Sequence, residues 1–243
     1  GPGDALPMLW HWMLFWAVSA ASGLGPDGHP RRGGFLPPVE LPRRMWAGGR
    51  LTFHAPLPVA SEVTRLSTIK DVTVKNGSSG RLAFVTVAHE ISANGRLAVR
   101  EAHDIVYRDN PQPGAAPAVP KQAPTDAQWS RTIHPDPVQL FRYSALTFNG
   151  HRIHYDRSYT TEVEGYPGLI VHGPLVATLL MDLVRRELTQ RNVTSFSFRA
   201  VSPVFDIDSF SVNGKLSADG KQVQLWAANA RGELTMQAEA GLS

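Results

Sequence analysis

One stretch limits the fold more than any other. His172–Gln190, HGPLVATLLMDLVRRELTQ, has a proline in its first turn and Arg185, Arg186 and Arg191 near its end, where cations meet the negative pole of a helix. Its middle is apolar nearly all round, so the helix must be enclosed rather than laid on a surface. The remainder of the chain supplies the enclosure. Strand-like runs at Val193–Ala200, Ile207–Leu216, Lys221–Ala230 and Glu233–Ala240 are broken by Asn213-Gly214, Asp219-Gly220 and Arg231-Gly232. A short helix, Pro137–Thr147, precedes the long one. The order predicts an antiparallel sheet wrapped around one buried helix.

The first half repeats that grammar. Leu6–Leu24, LPMLWHWMLFWAVSAASGL, reads as a buried helix with Pro7 in its first turn and Gly23–Gly25 as its stop. It lacks a preceding Lys or Arg, and its strongly apolar part is about a dozen residues, short of the roughly 20 needed to span a bilayer. Both features argue against a signal peptide or membrane helix. Gly25–Gly49 is too rich in Gly and Pro for regular structure and is expected to be an ordered loop. Strand runs come next at Leu51–Phe53, Val63–Val74, Leu82–Ile91 and Leu97–Tyr107, with hairpin turns at Asn76–Gly80 and Ala93–Gly95. Asn110–Thr125, NPQPGAAPAVPKQAPT, is a linker. The expected division is a first unit over 1–109, a linker over 110–126 and a second unit over 127–243.

Composition removes several chemistries. The 243 residues include no cysteine, so disulfides, thiolate metal sites and cysteine nucleophiles are excluded. That fits a cytoplasmic protein. No zinc spacing occurs, and no metal is expected. The formal charge is +3, with arginines clustered at Arg31-Arg32 and Arg43-Arg44. Such clusters attract phosphate, but no heptad or aromatic RNA-binding motif points to nucleic acid.

The chemistry lies in two segments. Tyr143–Asp156, YSALTFNGHRIHYD, sets the amide of Asn149 five residues before the imidazole of His154. Tyr166–Leu175, YPGLIVHGPL, ends on a helix N-terminus, whose free N–H groups can hold negative charge. An acid/base beside an oxyanion site is the minimum for proton chemistry next to a carbonyl. Read singly, Asn149 is equally a turn residue, Asp156 a cap, and each histidine structural.

Together the segments resemble the MaoC-like, R-specific enoyl-CoA hydratase family. In its motif a short helix ends in Leu-Ser/Thr-x-Asp-x-Asn-Pro-Leu-His-x-Asp, and a stretch ending Val-His-Gly opens the central helix. Leu146-Thr147, Ile153-His154-Tyr155-Asp156 and Val171-His172-Gly173 match it, and Phe196–Phe210 is similar to the family strand that crosses beside the site. The motif's catalytic aspartate falls on Asn149, and its Asn-Pro on His151-Arg152. This variant, with LWHW and GPDGHPRRGGFLPPVELPRR in the first half, resembles the two-hot-dog subgroup that contains itaconyl-CoA and mesaconyl-CoA hydratases.

The resemblance implies an α+β double hot-dog, each half a sheet around a central helix, with a degenerate, non-catalytic first half. It implies a hydro-lyase that adds water reversibly across an α,β-unsaturated acyl-CoA, with coenzyme A part of the substrate and no other cofactor. His154 would be the acid/base, Asn149 would hold the water, and the Gly173 N–H would hold the thioester oxygen. Arg152, Arg31, Arg32, Arg43, Arg44 and His172 would bind substrate carboxylate or CoA phosphate. A thioesterase, a fatty-acid-type dehydratase and a non-catalytic acyl-CoA-binding protein are the alternatives, and the His loop argues against the first. Two hot-dogs form an internal pseudo-dimer, compatible with a monomer or a homo-oligomer.

Overall fold

The computed structural model describes residues 1–77, 80–110 and 119–243. Nine strands form one antiparallel sheet: β1 (Arg43–Phe53), β2 (Val63–Gly77), β3 (Gly80–Ala93), β4 (Arg96–Arg108), β5 (Trp129–Ile133), β6 (Val193–Ala200), β7 (Phe210–Leu216), β8 (Gln222–Asn229) and β9 (Leu234–Leu242). Their spatial order is β2-β3-β4-β1-β6-β9-β8-β7-β5. The first half supplies the four strands at one end and the second half the five at the other. β1 and β6 meet at the seam through five residue pairs, from Gly48↔Arg199 to Thr52↔Ser195. This is the expected double hot-dog sheet.

The seam explains Gly48. A Cβ there would lie 2.5 Å from the Phe198 carbonyl oxygen, so only glycine lets the two halves come this close. The register of β1 against β4 also shifts between Trp46 and Gly48, which bends the strand at the junction.

In the second half the helices form as their sequences dictate. α1 (Pro137–Thr147) is capped by Asp136, whose side chain accepts the Gln139 N–H at 3.0 Å. α2 (Gly173–Glu187) buries Leu175, Val176, Ala177, Leu180, Met181, Leu183 and Val184. Around it lie Phe196, Phe210, Val212, Val223, Leu225 and Met236 from the sheet. The same core continues into the first half through Leu51, Ile91 and Val99.

Several expectations need correction. Leu6–Leu24 does not form a central helix; it holds two 3-10 turns, Trp10–Met13 and Ala21–Gly23. Leu9 takes a left-handed φ of 70°, which ends any helix before it starts. The place of a central helix is taken by side chains. Glu101 is buried on the inner face of β4 and accepts from Trp12 Nε1 at 2.7 Å, with His11 Nε2 at 3.0 Å and His103 Nε2 at 2.6 Å. Burial would raise the Glu101 carboxyl, but the charges and hydrogen bonds of His103 and His11 hold it well below the usual carboxylate range. Gly25–Gly49 is not all loop, because β1 starts at Arg43. Asn213-Gly214 is not a turn; it lies inside β7, paired with Trp226 and Leu225. β5 is an additional strand, paired with β7 at the edge of the sheet. Residues 111–118 of the proline-rich linker lie outside the described residues. No helix among the described residues is long and apolar enough to cross a membrane.

Candidate active site

The segment after α1 is held as a rigid loop. Phe148 takes a left-handed φ of 52° at the C-terminus of α1, and the Asn149 N–H bonds the Ser144 carbonyl at 2.8 Å. Asn149 Oδ1 accepts the His151 N–H at 3.1 Å, an Asx turn. A 3-10 turn, Arg152–His154, then brings His154 inward. Asp156 accepts the Tyr159 N–H and is paired with Arg152 at 2.7 Å, so it braces the loop.

His154 is clamped from two sides. Ile170 donates its N–H to the Ile153 carbonyl at 2.9 Å, and its own carbonyl accepts His154 Nδ1–H at 2.7 Å. Val204–Asp206 fix that stretch in turn. Val171 N–H bonds the Val204 carbonyl, Asp206 N–H bonds the Leu169 carbonyl, and Asp206 Oδ1 accepts the Leu169 N–H. The crossing segment therefore aims the Ile170 oxygen. Because that oxygen can only accept, the Nδ1 of His154 carries the proton and Nε2 keeps a bare lone pair. Burial pushes His154 down to about 3, so the ring is neutral at physiological pH.

The next layer is His172, the residue before α2. Its ring stacks on His154 with centroids 3.7 Å apart, and its Nε2 lies 2.8 Å from Ser144 Oγ. Burial, with the neighbouring His154, pushes it down to about 2. The N–H groups of Gly173 and Leu175 come directly after it and have no intrahelical acceptor, since the first helical bond runs from Val176 to His172. The His154 imidazole, the Asn149 loop and the positive end of a buried helix thus share one corner of the fold. That set can remove a proton and hold an enolate oxygen.

A cavity of about 280 Å³ opens beside this corner, between Ala17–Pro30 and α1 with its loop. Ser144, Phe148, Asn149 and Tyr155 line it, with Leu24, Gly28 and Pro30 opposite. His154 and His172 lie behind this lining, and Ser144, which belongs to it, is 2.8 Å from His172 Nε2.

The arginines divide. Arg32 spends its guanidinium on the carbonyls of Val39, Leu41 and Pro42. Arg31 bonds the Leu24 carbonyl, and Arg43 bonds Asn110 and the Tyr166 hydroxyl. Arg152 is held by Asp156, by the Pro26 carbonyl and over the Tyr159 ring. Arg44 differs: its charge is close enough to help lower His151, and its side chain makes no hydrogen bond among the described residues. Burial is the main cause that takes His151 down to about 3.

Sequence reasoning missed Asp27 and His29. Their loop docks on the catalytic loop: the Asp27 carbonyl accepts the Arg152 N–H at 2.8 Å, and Gly28 lies against the Gly150 carbonyl. The His29 ring is 4.1 Å from that of His151. Asp27, His29 and His151 offer donor atoms within 4.8 Å of one another, close enough for a cation. Two of the three are already matched as proton donor and acceptor, however, which is the arrangement of a hydrogen-bonded dyad. The short Asp-x-His spacing in PDGHP was the available signal; its partner 120 residues later was not.

The geometry agrees with what the chain is similar to. The family model described as hydroxyacyl-thioester dehydratase type 2 matches residues 9–206. The mesaconyl-C(4)-CoA hydratase of Chloroflexus aurantiacus is 47% identical over 96% of this chain and 82% of its own. The mitochondrial hydroxyacyl-thioester dehydratase type 2 of Schizosaccharomyces pombe is 29% identical over 81% of this chain and 73% of its own. Among solved structures, HtdX of Mycobacterium tuberculosis matches with a TM-score of 0.69 at 15% identity, over 98% of this chain and 89% of that one. Another M. tuberculosis protein, described as having a double hot-dog fold, matches with 0.52 at 15% identity over 84% and 76%. These last two speak to the fold alone. With most of its length matched by the family model, the chain belongs to the MaoC-like hydroxyacyl-thioester dehydratase type 2 family and is a hydro-lyase of double hot-dog fold.

Proposed function

We propose that this hydro-lyase adds water reversibly to a short, dicarboxylic α,β-unsaturated acyl-CoA such as mesaconyl-CoA or itaconyl-CoA. The observation that carries the reading is His154: neutral, with Nδ1 committed to Ile170, and with Nε2 left as a base next to the start of α2. The 47% identity to a mesaconyl-C(4)-CoA hydratase supports the substrate class.

In hydration, Nε2 of His154 takes a proton from water as the oxygen bonds to the β-carbon. The electron pair passes to the thioester oxygen, which the Gly173 N–H stabilises. The α-carbon then takes a proton that an acid group of the site draws from solvent, while His154 returns the water proton to solvent, so one water is added overall. Asn149 cannot serve as a base; its amide orients the water. The 280 Å³ cavity lies at the low end of ligand-pocket sizes and suits a short acyl group. Arg44 meets the free carboxylate or a CoA phosphate, since Arg31, Arg32 and Arg43 are held by internal partners.

Loss of enoyl-thioester absorbance tests this with mesaconyl-C4-CoA, itaconyl-CoA and crotonyl-CoA as substrates. Faster turnover of the dicarboxylic thioesters is expected, with His154→Ala at least ~100-fold slower and Arg44→Gln raising KM for them more than for crotonyl-CoA. Preference for crotonyl- or longer 3-hydroxyacyl thioesters would favour the fatty-acid type of dehydratase, the activity named for the S. pombe relative. A fully active His154→Ala would remove His154 as the base.

A further inference from the structure

Hydration needs two proton operations: one proton leaves water and another reaches the α-carbon. In the second half His154 is the group placed for the first, and Asn149 can neither give nor take a proton. His154 and His151 are both neutral, the former buried and the latter packed between His29 and His154. The family motif places an aspartate where this chain has Asn149, so the second half offers no carboxylate partner for His154.

The first half holds what is lacking. Asp27 Oδ2 accepts from His29 Nδ1 at 3.2 Å, while Oδ1 accepts the His29 backbone N–H at 3.1 Å. The carboxylate thus fixes the ring and its tautomer, leaving Nε2 as the working nitrogen. The hydrogen bond from His29 keeps the Asp27 carboxyl well below the usual carboxylate range, so it stays ionised. Both side chains are half-buried, with His29 24% exposed, and so they are reachable from solvent, unlike His154. Their position is built in. Gly28, with a φ of +86°, lies so close to Gly150 that a Cβ would come within 2.0 Å of its carbonyl oxygen. The Arg152 side chain and N–H reach back to Pro26 and Asp27. The His29, His151 and His154 rings then succeed one another with centroid separations of 4.1 and 5.6 Å, and Gly28 and Pro30, the neighbours of the dyad, line the cavity.

We infer that His29 is a second catalytic residue of this active site, oriented by Asp27, and that the first half of the chain thereby supplies the proton donor to the α-carbon. In the hydration direction His154 removes the water proton as the C–O bond forms. The Nε2–H bond of protonated His29 breaks as the α-carbon C–H bond forms. His29 then regains a proton from solvent while His154 releases one, so the cycle is neutral overall. Asp27 is a positioning residue that holds the ring. The inference rests on the hydratase reading of the site.

The test is steady-state hydration of mesaconyl-C4-CoA by the full chain carrying His29→Gln, His29→Ala, Asp27→Asn or Asp27→Glu. His29→Gln should lower kcat ~100-fold with KM within a few-fold of the parent. Imidazole added to His29→Ala should restore at least about a tenth of the lost rate, a readout that lost packing alone would not give. Asp27→Asn should lower kcat about ten-fold or more and move the alkaline limb of its pH profile to lower pH, with Asp27→Glu recovering part of both. A parental kcat in His29→Gln, a change confined to KM, or no rescue by imidazole would overturn the inference. So would loss of parental activity to a chelator with recovery on adding Zn²⁺ or Mn²⁺, which would make Asp27, His29 and His151 a metal site. His154→Ala separates the two readings: an inactive His154→Ala beside an active His29→Gln sinks this inference alone. A parent that hydrates none of the thioesters sinks the hydratase reading as well.

Discussion

The neutral histidine stack beside α2 should make folding sensitive to mild acid, and His172→Gln isolates one member of it. Gln can still meet Ser144 Oγ, now 2.8 Å from His172 Nε2, but it cannot titrate. The His172 pKa falls from 6.5 to about 2 on folding, chiefly through burial. A histidine depressed in the folded state binds its proton in the unfolded chain first. Stability is therefore full above pH 6.5 and is lost as pH falls from there towards the folded value. Between pH 7 and pH 5 the unfolded state gains about 2 kcal/mol from this one group by proton linkage. The residue is 1% exposed, so solvent screening does not reduce that figure much. Urea unfolding at both pH values, on parent and variant, reads the effect as a difference of differences. The parent should lose about 2 kcal/mol more than His172→Gln. Equal losses would mean that His172 is charged, or solvated, in the folded protein, and the account of a neutral stack would fail with it.

Two further perturbations probe the supports of the site. Gly28→Ala pushes a methyl onto the Gly150 carbonyl at a positive φ, and should cost ~1–3 kcal/mol in chemical unfolding and lower kcat more than it raises KM; parental stability and rate would show that the two loops do not need to touch. Glu101→Gln breaks the buried pairing with His11 and His103 and should destabilise the fold by ~3–5 kcal/mol at pH 7. Because the Glu101 carboxyl is depressed in the folded state, its share of stability exists above the ordinary carboxylate range and fades as pH falls through and below it. The gap between parent and variant should then shrink in thermal melts below about pH 4, and a gap independent of pH would refute the ion-pair account.

The second half was legible because local and tertiary signals agree there. Asp136 with Pro137 starts α1, Pro174 starts α2, and the apolar pattern of α2 demands the enclosure that β6–β9 give it. His154 and His172 stack on each other immediately before α2. In the first half the same apolar richness misled. Trp10, Leu14, Trp16 and Val18 look like a helix core, yet they stay largely exposed, and Trp16 bonds the Leu146 carbonyl and stacks on Phe148. What fills the interior instead is a carboxylate on β4, and no periodicity marks a glutamate as buried. Asp27 and His29 escaped notice for a related reason. They sit in a Gly/Pro-rich loop, and their meaning depends on a contact with Gly150–Arg152 that local sequence does not encode.

The junction of β1 with β6 has a consequence for chain connectivity. Neighbouring strands from the two halves are zipped along Gly48–Thr52, and their side chains enter one apolar core. The covalent connection therefore joins parts that already adhere, and Lys121–Ala123 at its far end bond to Gly232–Leu234 of the second half. Cleaving it, or expressing residues 1–109 and 127–243 as separate polypeptides, should leave a heterodimer that reassembles along this ladder with the Gly28 loop still seated on Gly150.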